Sequence, residues 1–209
     1  MQLSTHQKPV SPVVFTLRSV QPCDAQALDA LIESLSNAER RWRFHGAVNG
    51  LSAQTLKRLT CVDSAQHVAY VVHAHDERGA ILIADGRFAL DDDSGRAEMA
   101  LMVSPAWRGR GIGRLVLSAL MRAASQAGVR VLHGTVLLEN VAMQRLLSCS
   151  GFQRVSRVHT FGARSYESVL VPDPIAPRTH TGDRRVSRSL PAWIASPWTV
   201  RQSTRGLEV

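Results

Sequence analysis

The stretch Ser104-Pro-Ala-Trp-Arg-Gly-Arg-Gly-Ile-Gly-Arg114 holds residue types that can grip an anion largely through the main chain. Glycines let successive N–H groups turn inward around one point. A helix that starts there adds unpaired N–H groups and the positive end of its dipole. Arg108-Gly109-Arg110-Gly111-Ile112-Gly113 falls between an apolar strand and an amphipathic helix, so it suits a diphosphate, with Arg108, Arg110 and Arg114 adding charge. A Walker loop is excluded, because no Lys-Ser/Thr follows the glycines. The dinucleotide pattern GxGxxG also fails: counted from Gly111 its third glycine would be Val116, and counted from Gly109 it would be Arg114. The competing reading is a bare helix-start turn, against which the strand context and the flanking arginines weigh.

The loop must be held by the elements around it. From Val13, FTLRSV reads as a strand, and Asp24 is placed to cap a helix over Ala25–Ser34 with Leu28, Leu31, Ile32 and Leu35 at helical spacing. A basic-aromatic segment, ERRWRFHG, follows, and Ser52 can cap a helix carrying Leu56 and Leu59. His67–Ala74, Ala80–Leu90 and Ala97–Val103 read as strands, the first two joined through a turn at Arg78-Gly79, which predicts an antiparallel meander. The period then changes. Gly111–Ala127 is a helix ended by Gly128, Val129–Leu138 a strand, and Asn140 opens a helix through Leu146 and Leu147 that stops at Gly151. Phe152–Val158 and Tyr166–Val171 read as closing strands. Strand, helix, strand in the centre is a βαβ unit with a parallel pair. The fold class is α/β: a mixed central sheet flanked by helices.

Composition narrows the classes. The chain has 209 residues, 44% hydrophobic and 20% charged, which is ordinary for a globular protein. No window approaches a membrane span, and the N-terminus lacks the apolar core of a secretory signal. The formal net charge is +8, but the surplus is spread out: residues 15–171 carry 18 basic and 14 acidic groups, and residues 172–209 add six arginines against three acids. This describes a mildly basic domain suited to an anionic ligand, not a nucleic-acid stripe. Cys23, Cys61 and Cys149 are odd in number and far apart, which fits a reduced cytoplasmic setting. His73 and His75 could share a strand face but lack a third ligand, so no metal is expected. Asp91–Asp93 reads as a solvated turn. Residues 1–12 are expected to be a flexible lead-in, 13–171 one domain, and 172–209 a disordered tail with Trp193, Ile194 and Trp198 as a docking patch.

RGRGIG after Val-Ser-Pro resembles motif A of the GNAT superfamily of N-acetyltransferases, whose pattern is Arg/Gln-x-x-Gly-x-Gly/Ala. Asn140-Val-Ala-Met-Gln-Arg-Leu-Leu-Ser-Cys-Ser-Gly-Phe152 is similar to motif B, an Asn opening a helix with Gly-Phe following it. The resemblance covers roughly residues 13–171. It implies a GNAT fold with a splayed sheet and acetyl-CoA as co-substrate: pyrophosphate on Arg108, Gly109, Arg110, Gly111, Ile112 and Gly113, pantetheine along the strand ending at Met102-Val103, and Asn140 on the other wall. Leu35-Ser-Asn-Ala-Glu-Arg-Arg-Trp-Arg-Phe-His45, Gly86-Arg-Phe88 and Arg96-Ala-Glu-Met-Ala100 look like the Pat-type branch of bacterial protein-lysine acetyltransferases, with His45 in place of a last Phe.

The chemistry so implied is acetyl transfer to a primary amine by direct attack in a ternary complex. An alkyl amine has a pKa near ~10.4, so a base must remove its proton. Glu98 is the candidate: it lies in an otherwise apolar strand, alternation puts it on the face of Ala100 and Met102 unless a bulge intervenes, and the resemblance places a catalytic Glu there. The competing reading pairs it with an arginine such as Arg96. Many GNAT enzymes carry an acidic Tyr seven residues after the motif B Asn; here that position is Leu147, and Ser148 and Cys149 do not replace it automatically. The expected acceptor is a protein lysine. The alternatives are a small-molecule amine, or a non-catalytic acyl-CoA sensor of the same fold.

Overall fold

The computed structural model describes residues 13–46, 48, 50–62, 66–77, 79–91, 94–155 and 162–171. The expected lead-in and tail lie outside these residues. Seven strands form one sheet in the order β1-β2-β3-β4-β5-β7-β6: β1 Val14–Ser19, β2 His67–Asp76, β3 Gly79–Leu90, β4 Arg96–Val103, β5 Val131–Leu137, β6 Gln153–Val155 and β7 Ala163–Val169. All neighbours are antiparallel except β4 and β5, the ends of the βαβ unit.

The helices are α1 Ala25–Glu33, α2 Asn37–Phe44, α3 Ala53–Thr60, α4 Ile112–Gln126 and α5 Val141–Cys149. The basic-aromatic segment is therefore a helix in its own right. Ser36 accepts from the Glu39 N–H at 3.3 Å and Glu39 accepts from the Ser36 N–H at 2.7 Å, a capping box written as Ser-Asn-Ala-Glu. Ser52 caps α3 as expected, accepting from the Thr55 N–H. Asp24 stands before α1 but does not cap it: its carboxylate takes the Gln21 N–H at 2.8 Å and both Arg18 guanidinium nitrogens at 2.7 Å. The closing strands also differ from expectation. β6 ends at Val155, with residues 156–161 outside the description, and β7 begins at Ala163 because it pairs along the whole of β5.

The sheet separates two cores. On one face α4 and α5 pack over Ile83, Phe88, Leu101, Val116, Leu120, Leu132 and Leu147; on the other, α1 to α3 cover Leu28, Ile32, Phe44, Val71, Leu82 and Met102. Gly86 sets how closely α4 lies on β3: a Cβ there would stand 2.2 Å from Val116 Cγ1. A register shift at Val72/His73 leaves Ile83 as an extra residue, so Leu82, Asp85 and Arg87 share the α1–α3 face despite their spacing.

The feature that makes the site is the brevity of the parallel ladder. β4 pairs with β5 over Arg96–Glu98 and Val131–His133, and beyond that the strands diverge. At the closed end, the Gly95 carbonyl accepts from the Arg130 N–H at 2.7 Å and the Val131 N–H at 3.2 Å.

Candidate active site

The divergence opens a cavity of about 550 Å3. Its walls are β4 from Glu98 to Val103, β5 from Gly134 to Val136, the glycine loop, the start of α5, and α2. Of the residues singled out in the sequence, Glu98, Met102, Val103, Arg108, Gly109, Gly111, Ile112, Gly113, Arg114 and Asn140 line it. Arg110 does not: its guanidinium stands 4.9 Å from the Trp107 ring centroid, which in turn meets Phe15 edge-on.

The loop has the local structure its glycines demand. Gly109 and Gly111 take φ of 72° and 81°, the left-handed region, and nothing lies within 4 Å of a Cβ built at either. α4 begins at Ile112 with no side-chain cap and no acidic residue in its first turn, so its first N–H groups and its dipole end are left for an anion. Gly113 lets α5 approach, since a Cβ there would lie 3.2 Å from Leu146 Cδ2. Arg108 is engaged within the protein: its Nε donates to the Val103 carbonyl at 3.1 Å, and its Nη1 pairs with the Glu39 carboxylate of α2. Beyond Glu98 the edge of β4 that faces β5 has no strand partner, as a ligand carrying amides requires. These residues fit a diphosphate-tailed thioester carrier.

Asn140 caps α5 through Oδ1, which accepts from the Met143 N–H at 3.1 Å. Leu147 is fully buried at the cavity wall, while Ser148 and Cys149 are exposed on α5 and do not line the cavity. No acid replaces the usual tyrosine at these positions.

Glu98 lies on the face of Ala100 and Met102, and β3 and β4 pair without a bulge. It does not bond Arg96, which instead pairs with Glu167 of β7 at 2.6 Å. Burial raises the Glu98 pKa above the ordinary carboxylate value; His133 and Arg43 pull it down and Asp91 pushes it up. A half-buried carboxylate so poised takes a proton readily.

The run Arg40, Arg41, Trp42, Arg43 and Phe44 is expected from sequence either to line an acceptor cleft or to pack as an amphipathic helix end; Trp42 and Arg43, with His45, line the cavity, and Phe44 is buried in the α1–α3 core. Arg43, on the cavity wall, donates to Asp85 Oδ2 at 3.2 Å, and Arg87 donates its Nε to the same oxygen and its Nη2 to Oδ1. All three side chains are at most 3% exposed. Burial pushes the Arg43 pKa down to about 10 against the pull of Asp85; burial also opposes ionisation of Asp85, but Arg87 and Arg43 outweigh it and hold that carboxyl below its ordinary range. His45 ends α2 in the left-handed conformation, φ 52°, and burial lowers its pKa. Among the described residues no group of three or more His, Cys, Asp or Glu side chains is placed to hold a metal, and no helix is long and apolar enough to cross a membrane.

Comparison with known proteins agrees with this geometry. The GNAT domain of S. lividans PAT superposes with a TM-score of 0.66 at 25% identity, covering 74% of this chain and 89% of that one. Acetyltransferase Pat of Mycolicibacterium smegmatis is 33% identical over 141 residues, 66% of this chain, and the chain matches only 40% of that relative's length. An L-methionine sulfoximine/L-methionine sulfone acetyltransferase of Salmonella typhimurium is 28% identical over 120 residues, 56% of this chain and 70% of that protein. Residues 15–153 match the Acetyltransferase (GNAT) domain family, and the chain belongs to that family of acyltransferases.

Proposed function

We propose that the cavity binds acetyl-CoA and that the protein acetylates the side-chain amine of a protein lysine. The thioester supplies an activated acetyl group. Gly109–Gly113 and the start of α4 hold its diphosphate, and the unpaired edge of β4 near Met102 and Val103 holds its amides, with Asn140 on the facing wall. Arg108 and Arg114 add charge at the mouth. Glu98 takes the ammonium proton, directly or through water, and the freed amine attacks the acetyl carbon in a ternary complex. With Leu147 at the cavity wall, the thiolate collects its proton from water.

One observation carries the choice of acceptor. The Pat-like segments fall on α2 and on the facing stretches of β3 and β4, so that likeness includes Trp42, Arg43 and Glu98 of the acceptor wall, not only the glycine loop. A small amino acid is the second reading, favoured by the likeness to the L-methionine sulfoximine/L-methionine sulfone acetyltransferase. Thiol release from acetyl-CoA, measured with lysine peptides and with methionine sulfone, separates the two. Lysine peptides are expected to turn over with the higher kcat/KM, and Glu98→Gln to lower it by roughly 10²–10⁴-fold. Acetyl-CoA binding without release for any amine would leave a sensor of the same fold.

A further inference from the structure

With Glu98 as the base, each turnover leaves a proton on a half-buried carboxylate of the cavity wall. His133 is its ladder neighbour on β5, the last bonded position before the strands part. The two share a face. Leu132 and Val136 point into the α4 core and a Cβ on Gly134 would meet the Met99 carbonyl at 3.2 Å, so His133 turns to the opposite side, where Glu98 lies between Ala97 and Met99 of that same core. Neighbouring strands lie about 4.7–4.9 Å apart, so side chains at paired positions on one face are adjacent. His133 Nε2 lies 2.6 Å from Asp91 Oδ2, at the end of β3. Side-chain exposure rises outward along this row, 20% at His133 and 35% at Asp91.

We propose that the His133–Asp91 pair is the exit for the proton that Glu98 collects. This rests on the reading of Glu98 as the base. The Glu98 O–H bond breaks as a bond forms to His133 Nδ1, directly or through one water. The imidazolium then gives up its Nε2 proton on the Asp91 side to solvent, and the ring regains its starting tautomer by exchanging the Nδ1 proton with water, which returns Glu98 and His133 to their starting states. The other charged groups around the pair are Arg96 and Glu167, which neutralise each other, and the Arg43 guanidinium. Glu167 of β7 is the other ladder neighbour of His133, and Arg96 holds its carboxylate at 2.6 Å.

The full chain is assayed with acetyl-CoA and poly-L-lysine as the acceptor probe, in dilute and in concentrated buffer. His133→Gln is expected to lower kcat by roughly 10²-fold in dilute buffer with the KM for acetyl-CoA unchanged. Added imidazole restores the rate with saturation. Asp91→Asn, which leaves the ring in place, lowers kcat less. Wild-type rates for both variants in dilute buffer overturn the relay, as does a loss that imidazole does not restore. If Glu98→Gln is inactive while His133→Gln is normal, only the relay fails; if Glu98→Gln turns over normally, the base reading fails and takes the relay with it. A readout free of any acceptor is the 15N titration of the His133 ring. The curves are expected to differ between wild type and Glu98→Gln, and superimposable curves overturn the coupling.

Discussion

Asp85→Asn removes the carboxylate that bridges two buried guanidiniums and leaves the shape unchanged. Asp85 is wholly buried and accepts three bonds, one from Arg43 of α2 and two from Arg87 of its own strand. Asparagine keeps one acceptor oxygen, so at least one of those charge-assisted bonds is lost and the others become neutral-acceptor bonds; each is worth about 1.5–3 kcal/mol. Removing one partner of a buried ion pair costs about 3–5 kcal/mol, because the remaining charge stays buried with less compensation. The same loss at about 2–4 °C per kcal/mol lowers Tm by roughly 6–20 °C. Urea titration followed by circular dichroism reads the stability at pH 7. A loss below about 1 kcal/mol would refute the argument that this cluster fastens α2 to the sheet. The sign with pH also follows. The Asp85 pKa is lowered on folding, so its contribution is present above the ordinary value near ~3.9 and is lost as pH falls through the depressed folded value.

The remaining predictions concern the loop, the base and the sheet. Gly111→Ala meets open space but forces an L-residue to φ 81°, at a cost of about 1–2 kcal/mol. Calorimetry is expected to show coenzyme A binding roughly 5–30-fold weaker, and an unchanged Kd would sink the loop's assignment. Because burial raises the Glu98 pKa, its ionised form burdens the fold at neutral pH, so Glu98→Gln stabilises at pH 7. That gain shrinks as pH falls through the raised folded value and vanishes below the unfolded value near ~4.3, in thermal melts across that range. Gly86→Ala overpacks α4 against β3 and costs about 1–3 kcal/mol in denaturant titration; no change would mean that Val116 yields freely.

Much of this site was legible from residue types. The glycine loop announces itself because its two left-handed positions favour glycine, and Glu98 stands out as a charge in an apolar alternation that the structure keeps. Arg43 shows the limit. It follows Arg40 and Arg41, and nothing in that run tells which guanidinium is buried. The answer depends on the bulge at Ile83, an extra residue that turns Asp85 toward α2 and leaves no mark in composition. The capping box at Ser36 was readable and fixes α2 as a helix. The Asp24 carboxylate was misassigned, because Arg18, six residues away, outcompetes the α1 N-terminus for it. His133 and Asp91 are 42 residues apart and meet only through sheet order.

The closed end of the cleft has mechanical weight out of proportion to its size. Gly95, at φ 70°, receives two main-chain bonds from the start of β5 just before the Arg96–Glu98 ladder, and a Cβ there would press to 2.7 Å from Arg130 Nε. From Glu98 to Val103 the strand runs on for roughly 17 Å at about 3.3 Å per residue. The two strands thus resemble the arms of a clothes-peg hinged where the ladder ends at Glu98 and His133, with Gly95 anchoring its closed end, so that a small tilt there is magnified at the mouth. Variation at a turn that touches neither substrate can therefore retune how wide the jaws stand.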